Sequence, residues 1–250
     1  MTISTLVILQ ARMSSLRLPG KIMLPINGQP MIFWQIQRIL TAKNVSKLVI
    51  ATSNDKSDDD FAKFAGELGI EIFRGSLSNV HSRFISIINL HPEYEHIVRL
   101  TGDCPLTMAN LLNSALEAFS ASNLEYMSNC IEPTFPDGLD IEIFTRNAFQ
   151  RMSSMELTSS EEEHVTSKFR AKESGFVIGN FRNDINLSAL RWTVDYKGDY
   201  DFVARIFEHF RGNETQFDMQ DVLNLLSRKP ELNTSLSGKL RNISLQEDQT

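Results

Sequence analysis

Short apolar runs alternate with helical patterns through the first 120 residues, and this alternation limits the possible folds more than any other feature. Four runs rich in branched apolar residues predict strands: TLVILQ, KLVIAT, EIF and HIVRL. Four stripes at helical spacing predict helices that begin near Pro30, Ser57, Leu77 and Asn110. This order predicts an α/β fold with a mostly parallel, doubly wound sheet and a ligand crevice at the carboxyl ends of the strands.

The rhythm breaks in residues 125–190, which we expect to be an insertion that adds strands and covers one side of the crevice. Strands are predicted at LDIEIF, FVIGNF and LRWTVD, and helices at SSEEEHVTSKF, DYDFVARIFEHF and DVLNLLSRK. Ser160 and Glu163 have the spacing of a capping box in the first of these helices. We expect one domain over residues 1–230 and a mobile tail over 231–250, where the apolar pattern fades.

The balance of charge excludes some partners. The chain has 25 Lys and Arg against 31 Asp and Glu, a net charge of −6, so it has no broad positive field for nucleic acid or an anionic membrane. No run approaches the ~18 apolar residues that a membrane span needs, and no leader pattern is present. Cys104 and Cys130 form no CxxC pair, which is typical of a reducing compartment. We therefore expect a cytoplasmic protein.

The loop after the first strand is cationic within this acidic chain. It carries Arg12, Arg17 and Lys21, and no Asp or Glu occurs in residues 1–54. Arginine and lysine in such a loop either bind phosphate oxygens or form a solvated basic surface. The loop has only Gly20, so it is no dinucleotide fingerprint, and Ile22 follows Lys21 where a Walker loop needs a hydroxyl.

Several motifs, in order along the chain, resemble those of sugar cytidylyltransferases. They are QARMSSLRLPGK, FRG with NVHSRF, VRLTGDCPL, FPDGLDIEIF, EEHVT and RWTVDYKGDYDFV. The sequence most resembles the SpsF-like family of spore coat polysaccharide biosynthesis, relatives of the CMP-KDO and CMP-sialic acid synthetases, from about residue 3 to residue 207. The resemblance implies a Rossmann-like nucleotide-diphospho-sugar transferase fold, CTP as a substrate, Mg²⁺ as cofactor and a homodimer formed through the inserted strands.

Two aspartates are candidate Mg²⁺ ligands. Asp103 follows HIVRL in a Gly-Asp-Cys-Pro turn, where it suits a metal ligand and a turn cap about equally. The resemblance implies the metal ligand and makes Asp195 the second one. Asp199 is predicted to cap the next helix. The acidic run SDDD at 57–60 is similar to a glycosyltransferase metal motif, but its place at a helix start predicts solvent-exposed acids.

The acceptor side is predicted from the middle of the chain. Asp140 and Glu142 alternate in LDIEIF, so they share one face of the predicted strand, which either binds a cation, an arginine or sugar hydroxyls, or faces solvent. His164 and Arg191 are the candidate counter-groups. For His164 a helix-surface position is an equal alternative, and the resemblance implies a substrate role. Arg191 could hold a carboxylate or phosphate of the acceptor.

These features predict a cytidylyltransferase that acts in surface polysaccharide biosynthesis. The acceptor would be a small sugar acid or a sugar or polyol phosphate, whose oxygen attacks the α-phosphorus of CTP while pyrophosphate leaves. Catalysis would rest on Arg12, Lys21 and Asp103, which position the nucleotide and offset the charge on pyrophosphate. The main chain at Leu9 and Ala11 is expected to read the base.

Arg74 is expected to help read the base as well. Two other functions stay open at this point: a glycosyltransferase of similar fold that uses a nucleotide sugar, and a nucleotide-binding paralogue with weakened catalysis. The second alternative rests on two departures, because the family usually has aspartate at Asn79 and arginine at Glu163. It also usually has glycine at Ser14 and threonine at Leu16.

Overall fold

The computed structural model describes residues 4–171 and 173–233. Most of the predicted tail, residues 234–250, lies outside the described residues. Within the described ranges no helix has both the length and the apolar character to cross a membrane.

The elements alternate as the sequence predicts. The strands are β1 Thr5–Gln10, β2 Pro25–Ile26, β3 Gln29–Pro30, β4 Lys47–Ser53, β5 Glu71–Gly75, β6 His96–Thr101, β7 Tyr126–Ser128, β8 Glu142–Thr145 and β9 Ile178–Asn180. The α-helices are α1 Met31–Leu40, α2 Asp59–Glu67, α3 Val80–Leu90, α4 Ala109–Ser120, α5 Arg146–Ser153, α6 Ser159–His164, α7 Lys197–His209 and α8 Met219–Arg228.

Seven strands form one sheet in the order β5-β4-β1-β6-β8-β7-β9. The first four are parallel, with β1 between β4 and β6, whereas β8 is antiparallel to both β6 and β7. The predicted doubly wound α/β fold is thereby confirmed. Strands β7, β8 and β9 all come from residues 125–190, so this segment extends the sheet beyond β6.

The central strand has apolar side chains on both faces, which explains its continuous apolar run. Val7 and Leu9 belong to the core that includes residues of α1, α4 and α7. Leu6 and Ile8 belong to the second core, which includes residues of α3 and α5. β1 and β6 are parallel neighbours, so their carboxyl ends lie at the same edge of the sheet. The loops that follow these two strands therefore meet there.

Local details of the inserted segment differ from the predictions. LDIEIF is extended strand only from Glu142, and LRWTVD is no regular strand: it makes one isolated bridge, between Asp137 and Arg191. The capping box of α6 uses Thr158 and Glu161 in place of Ser160 and Glu163. In each case the local structure depends on hydrogen bonds to a neighbouring segment or to a helix-capping side chain. The spacing of apolar residues carries no information about such bonds.

Candidate active site

A cavity of about 680 Å³ lies at the carboxyl ends of β1 and β6. The loop after β1, the turn after β6, the inserted segment and the residues before α7 all line it. All the predicted site residues line this cavity except Leu9 and Arg74. The structure therefore brings the predicted nucleotide, metal and acceptor residues to one place.

The cationic loop is held in shape from within the fold. The Met13 carbonyl accepts hydrogen bonds from the N–H groups of Ser15 and Gly20, both at 2.9 Å. The Met13 N–H donates to Asp58 Oδ1 at 2.7 Å, and Asp58 Oδ2 accepts from Thr52 Oγ1 at 3.0 Å. Asp58 is fully buried, so the predicted solvent exposure of the SDDD run is wrong for this residue. Its role is to anchor the loop.

The turn after β6 packs directly on the cationic loop. Gly102 donates its N–H to the Gln10 carbonyl at 2.8 Å, and a Cβ on Gly102 would lie 2.7 Å from the Cβ of Ala11. Only glycine allows this approach. The next residue, Asp103, accepts from Thr101 Oγ1 at 2.6 Å, and its carbonyl accepts the Val194 N–H at 2.8 Å. These bonds bring Asp103 beside the segment that carries Asp195.

The two candidate metal ligands share one cation. Lys21 Nζ lies 3.0 Å from Asp195 Oδ1 and 3.4 Å from Asp103 Oδ2, and Arg17 lies 2.8 Å from Asp195 Oδ1. Burial opposes the charge of Lys21, but Asp103 and Asp195 outweigh it and raise its pKa. Burial likewise opposes the charge of Asp195, yet Lys21 and Arg17 hold its pKa well below its ordinary value. Lys21, Arg17 and Asp195 are therefore ionised near neutral pH.

This pair of carboxylates suits a divalent ion. Mg²⁺ takes one or two protein carboxylates and completes its octahedron with phosphate oxygens and water. Asp103 and Asp195 supply that donor set at the rim of the cavity. In residues 4–171 and 173–233 no group of three or more His, Cys, Asp or Glu side chains is arranged as a metal cage.

Arg191 is bound by carboxylates of the protein itself. Its guanidinium lies 2.8 Å from Asp137 Oδ2, 2.8 Å from Asp195 Oδ2 and 3.2 Å from Asp199 Oδ1. Burial opposes its charge, but Asp199 and Asp137 raise its pKa above the ordinary value. The predicted acceptor-binding role of Arg191 is therefore not supported. Its contacts instead orient Asp195.

Asp199 has the predicted capping role and a second one. Its Oδ2 accepts the N–H groups of Asp195 and Tyr196, both at 3.0 Å, at the start of α7. Gly138 brings Asp137 to the same cluster: its φ is +107°, and a Cβ there would lie 2.4 Å from the Thr193 nitrogen. Three buried charged side chains, Arg191, Asp137 and Asp199, thus hold Asp195 in place.

Glu142 is more enclosed than a sugar-binding carboxylate on a strand face would be. It is 6% exposed and accepts from Arg99 at 2.5 Å, Tyr126 at 3.0 Å and Thr166 at 2.9 Å. Burial opposes its charge, but Arg99 and Arg170 lower its pKa. Its carboxylate supports the cavity wall. Asp140 and His164 line the same wall, as the sequence predicts.

The structure places two predicted base readers differently. The Arg74 guanidinium binds the carbonyls of Ser53 and Asp55 and the carboxylate of Asp59, outside the cavity lining. Leu9 is fully buried in β1, where its main chain is paired within the sheet. The third predicted base reader, Ala11, does line the cavity.

Ala11 donates its N–H to the Ala51 carbonyl at 3.2 Å. A base reader at Ala11 would therefore have to use its carbonyl. Backbone contacts of this kind leave no signature in the sequence, so base reading at Ala11 stays a prediction.

Three charged residues that line the cavity were missed by the sequence analysis: Arg99, Asp137 and Arg170. Arg99 lies within the apolar run HIVRL, and Asp137 precedes the glycine of FPDGLD. A charged residue inside an apolar strand and an acid in a glycine turn are signals that could have identified both. Arg170 gives no such signal, because it lies in a short 3₁₀ turn, Ser167–Arg170.

The two charge departures have different structural roles. Asn79 caps α3 by accepting the Ser82 N–H at 2.7 Å and does not line the cavity. Glu163 lines the cavity and lies 3.4 Å from Arg12, with both side chains about two-fifths exposed. An exposed pair of this kind is weak, so a phosphate could replace Glu163 as the partner of Arg12.

Comparisons with known proteins agree with the geometry. A cytidylyltransferase family model matches residues 6–209. Spore coat polysaccharide biosynthesis protein SpsF of Bacillus subtilis is 29% identical over 239 residues, 92% of this chain and 96% of that protein. A cytidylyltransferase structure from Leptospira borgpetersenii has a TM-score of 0.88 at 28% identity and covers 95% of this chain and 100% of its own.

A structure of CMP:2-keto-3-deoxy-manno-octonic acid synthetase complexed with CTP has a TM-score of 0.64 at 18% identity, and the match covers 82% of this chain and 99% of that one. This likeness concerns the fold. The resemblance seen in the sequence motifs is confirmed by the family match and by the SpsF relative.

Proposed function

Because the chain belongs to the cytidylyltransferase family, we propose that it transfers CMP from CTP to a sugar acid or to a sugar or polyol phosphate, in surface polysaccharide biosynthesis. The bond between the α- and β-phosphates breaks, a bond from the acceptor oxygen to the α-phosphorus forms, and pyrophosphate leaves. The observation that supports the proposal most is the placement of Lys21 between Asp103 and Asp195 in the cavity.

The cations of the loop bind the phosphates in this proposal. Lys21 and Arg17 stay protonated. Burial lowers the pKa of each side chain, but the aspartates that face them raise it by more. Arg12 exchanges Glu163 for a phosphate oxygen. The three cations come from one loop that Asp58 anchors, so their positions are set before the nucleotide binds. Preorganised charge of this kind stabilises a leaving pyrophosphate without further reorganisation.

Asp103 and Asp195 would hold Mg²⁺. When bound, the ion neutralises phosphate charge and orients the α-phosphate for attack. The protein orients both carboxylates: Thr101 donates to Asp103, and Arg191 donates to Asp195. Arg191 is in turn held by Asp137 and Asp199, which makes it a positioning residue.

A homodimer formed through the inserted segment is part of the proposal. Strand β9 lies at an edge of the sheet, and an edge strand can pair with another chain. Val177, Ile178 and Ile185 of the same segment are exposed large apolar residues, at 54%, 39% and 69%. Cytoplasmic location stays a prediction from the sequence.

The test is pyrophosphate release from each of the four nucleoside triphosphates with Mg²⁺, across a panel of sugar acids and sugar phosphates, with the product identified by mass spectrometry. We expect release only with CTP plus an acceptor, and a product carrying CMP. Asp103→Ala, checked for fold by circular dichroism, should remove this activity. Release of a sugar from a nucleotide sugar, with no pyrophosphate from CTP, would contradict the proposal.

A further inference from the structure

One cation in the cavity differs from all the others there. Six arginine or lysine side chains line the cavity, and five of them have a carboxylate oxygen within 3.4 Å: Arg12, Arg17, Lys21, Arg99 and Arg191. Arg170 is the sixth, and among residues 4–171 and 173–233 its guanidinium makes no hydrogen bond and no ion pair. A partly buried guanidinium with five donors needs an acceptor from elsewhere.

Glu142, the carboxylate with the larger electrostatic effect on Arg170, offers it no free acceptor. A carboxylate has about four lone-pair sites. Glu142 Oε1 accepts from Tyr126 and Thr166, and Glu142 Oε2 accepts from Arg99 and Thr166. The lone pairs of Glu142 are therefore occupied by Arg99, Tyr126 and Thr166, and Arg170 attracts Glu142 only without a direct hydrogen bond or ion pair. The charge of Arg170 is left to attract an anion that enters the cavity.

The backbone around Arg170 is fixed on both sides. Thr166 donates to Glu142, and Phe169 is fully buried and stacks on Tyr126 with ring centroids 4.8 Å apart. Arg170 directly follows this buried ring, and the Ala171 N–H closes the turn onto the Lys168 carbonyl at 3.2 Å. The backbone that carries Arg170 is thereby fixed before any ligand binds, which lowers the entropy cost of binding.

Arg170 and the cations of the phosphate-binding loop interact with different groups of the cavity lining. Burial opposes the charge of Arg170, but Tyr126 and Glu142 raise its pKa, with smaller effects of Cys130 and Asp140. Lys21 and Arg17 interact instead with Asp195. A nucleotide whose phosphates contact Lys21 and Asp195 leaves the wall with Asp140 and Arg170 to the acceptor.

We propose that Arg170 binds the anionic group of the acceptor, a carboxylate or a phosphate, through its guanidinium fork. The proposal rests on the proposed function, because it assigns the second substrate of that reaction. A guanidinium binds either group through two parallel hydrogen bonds, so the geometry selects anionic acceptors over neutral sugars. Arg170 thus takes the acceptor-binding role that the sequence suggested for Arg191.

The experiment measures binding separately from turnover. The protein, saturated with Mg²⁺ and a CTP analogue that carries a methylene bridge between the α- and β-phosphates, is titrated calorimetrically with matched probes. These are 2-keto-3-deoxy-manno-octonic acid against its methyl ester, and glucose 1-phosphate against glucose. Arg170→Gln and Arg170→Lys are compared with Lys168→Gln, which removes a cation of the same turn that binds Glu161 at 3.2 Å and does not line the cavity.

We expect the wild-type protein to bind at least one anionic probe more tightly than its neutral partner. Arg170→Gln should weaken that binding about 10- to 100-fold and leave the affinity for the CTP analogue unchanged. Arg170→Lys should recover part of the loss, and Lys168→Gln should lose at most a few-fold. The acid and phosphate arms distinguish the two anions.

Two results would overturn the assignment. One is that the wild-type protein shows no preference for either anionic probe over its neutral partner. The other is that wild type, Arg170→Lys and Arg170→Gln bind the anionic probes with equal affinity. If Arg170→Gln fails to fold, as its melting temperature and CTP-analogue binding would report, Arg170→Lys and the ester comparison still decide. Pyrophosphate release on the same samples scores the proposed function independently, because anion binding through Arg170 does not require turnover.

Discussion

Replacing Arg191 with methionine should destabilise the fold far more than the loss of one surface ion pair. The guanidinium is 6% exposed and contacts three carboxylates, Asp137, Asp195 and Asp199. Removing one partner of a buried ion pair typically costs 3–5 kcal/mol, because the remaining charge is left without compensation. Asp199 is 1% exposed and becomes such a charge. We therefore expect the free energy of unfolding to fall by about 3–5 kcal/mol at pH 7.

Urea unfolding followed by tryptophan fluorescence and circular dichroism measures this difference. The matched control is Arg182→Met, which breaks an ion pair of 2.8 Å with Glu132. The two side chains are 60% and 64% exposed, so this change should cost less than about 1 kcal/mol. A loss below about 1 kcal/mol for Arg191→Met would refute the positioning role. Lower affinity for the acceptor at unchanged stability would restore the interpretation of Arg191 as an acceptor-binding residue.

The same network gives the pH dependence a definite sign. Burial opposes the charge of Asp195, but Lys21 and Arg17 keep its folded pKa below its unfolded value near 3.9. Folding therefore favours the ionised form, so the contribution of Asp195 to stability is complete above about pH 4 and is lost as the pH falls further. The loss of stability caused by Asp195→Asn should accordingly be smaller at about pH 3 than at pH 7 in urea unfolding series.

Three further predictions test the cationic loop and its supports. Lys21→Ala should weaken CTP binding about 10- to 100-fold and CMP binding far less, by calorimetry; equal losses would place Lys21 away from the β- and γ-phosphates. Asp58→Ala should lower the free energy of unfolding by at least about 2 kcal/mol, because it strands the Met13 N–H and other buried donors, whereas Asp58→Asn keeps an acceptor and should cost less. Gly138→Ala should lower the free energy of unfolding by more than about 2 kcal/mol, and Gly212→Ala by about 1 kcal/mol. Both glycines have positive φ, but of the two only a Cβ at Gly138 would clash with backbone atoms. Similar losses for the two variants would contradict the close approach at Gly138.

The sheet could be predicted because burial on both faces leaves a strong pattern. β1 and β4 are continuous apolar runs, and the helix between them, α1, carries an apolar stripe, so order and type followed from periodicity. The segment LRWTVD has a similar apolar pattern but pairs with no strand along its length. It makes one isolated bridge, between Arg191 and Asp137, and the ion pairs of Arg191 fix its position. A strand needs a partner as well as a pattern.

The site was predictable where side chains act alone and obscure where they act through neighbours. Lys21 and Asp103 lie in loops after strands, which identified them from sequence position. Asp58 and its acidic neighbours look alike in sequence, yet only Asp58 is buried, because Met13 comes from 45 residues away to bind it. Arg191 similarly looked like a ligand for substrate until its three carboxylates were brought together by Gly138 and the start of α7.

The most direct test of the account is a crystal structure of the protein with CTP and Mg²⁺. The account predicts β- and γ-phosphate oxygens in hydrogen-bond contact with Lys21, and a metal ion about 2.1 Å from oxygens of both Asp103 and Asp195. A nucleotide bound at another place, with neither Lys21 nor Asp103 near a phosphorus atom, would contradict it.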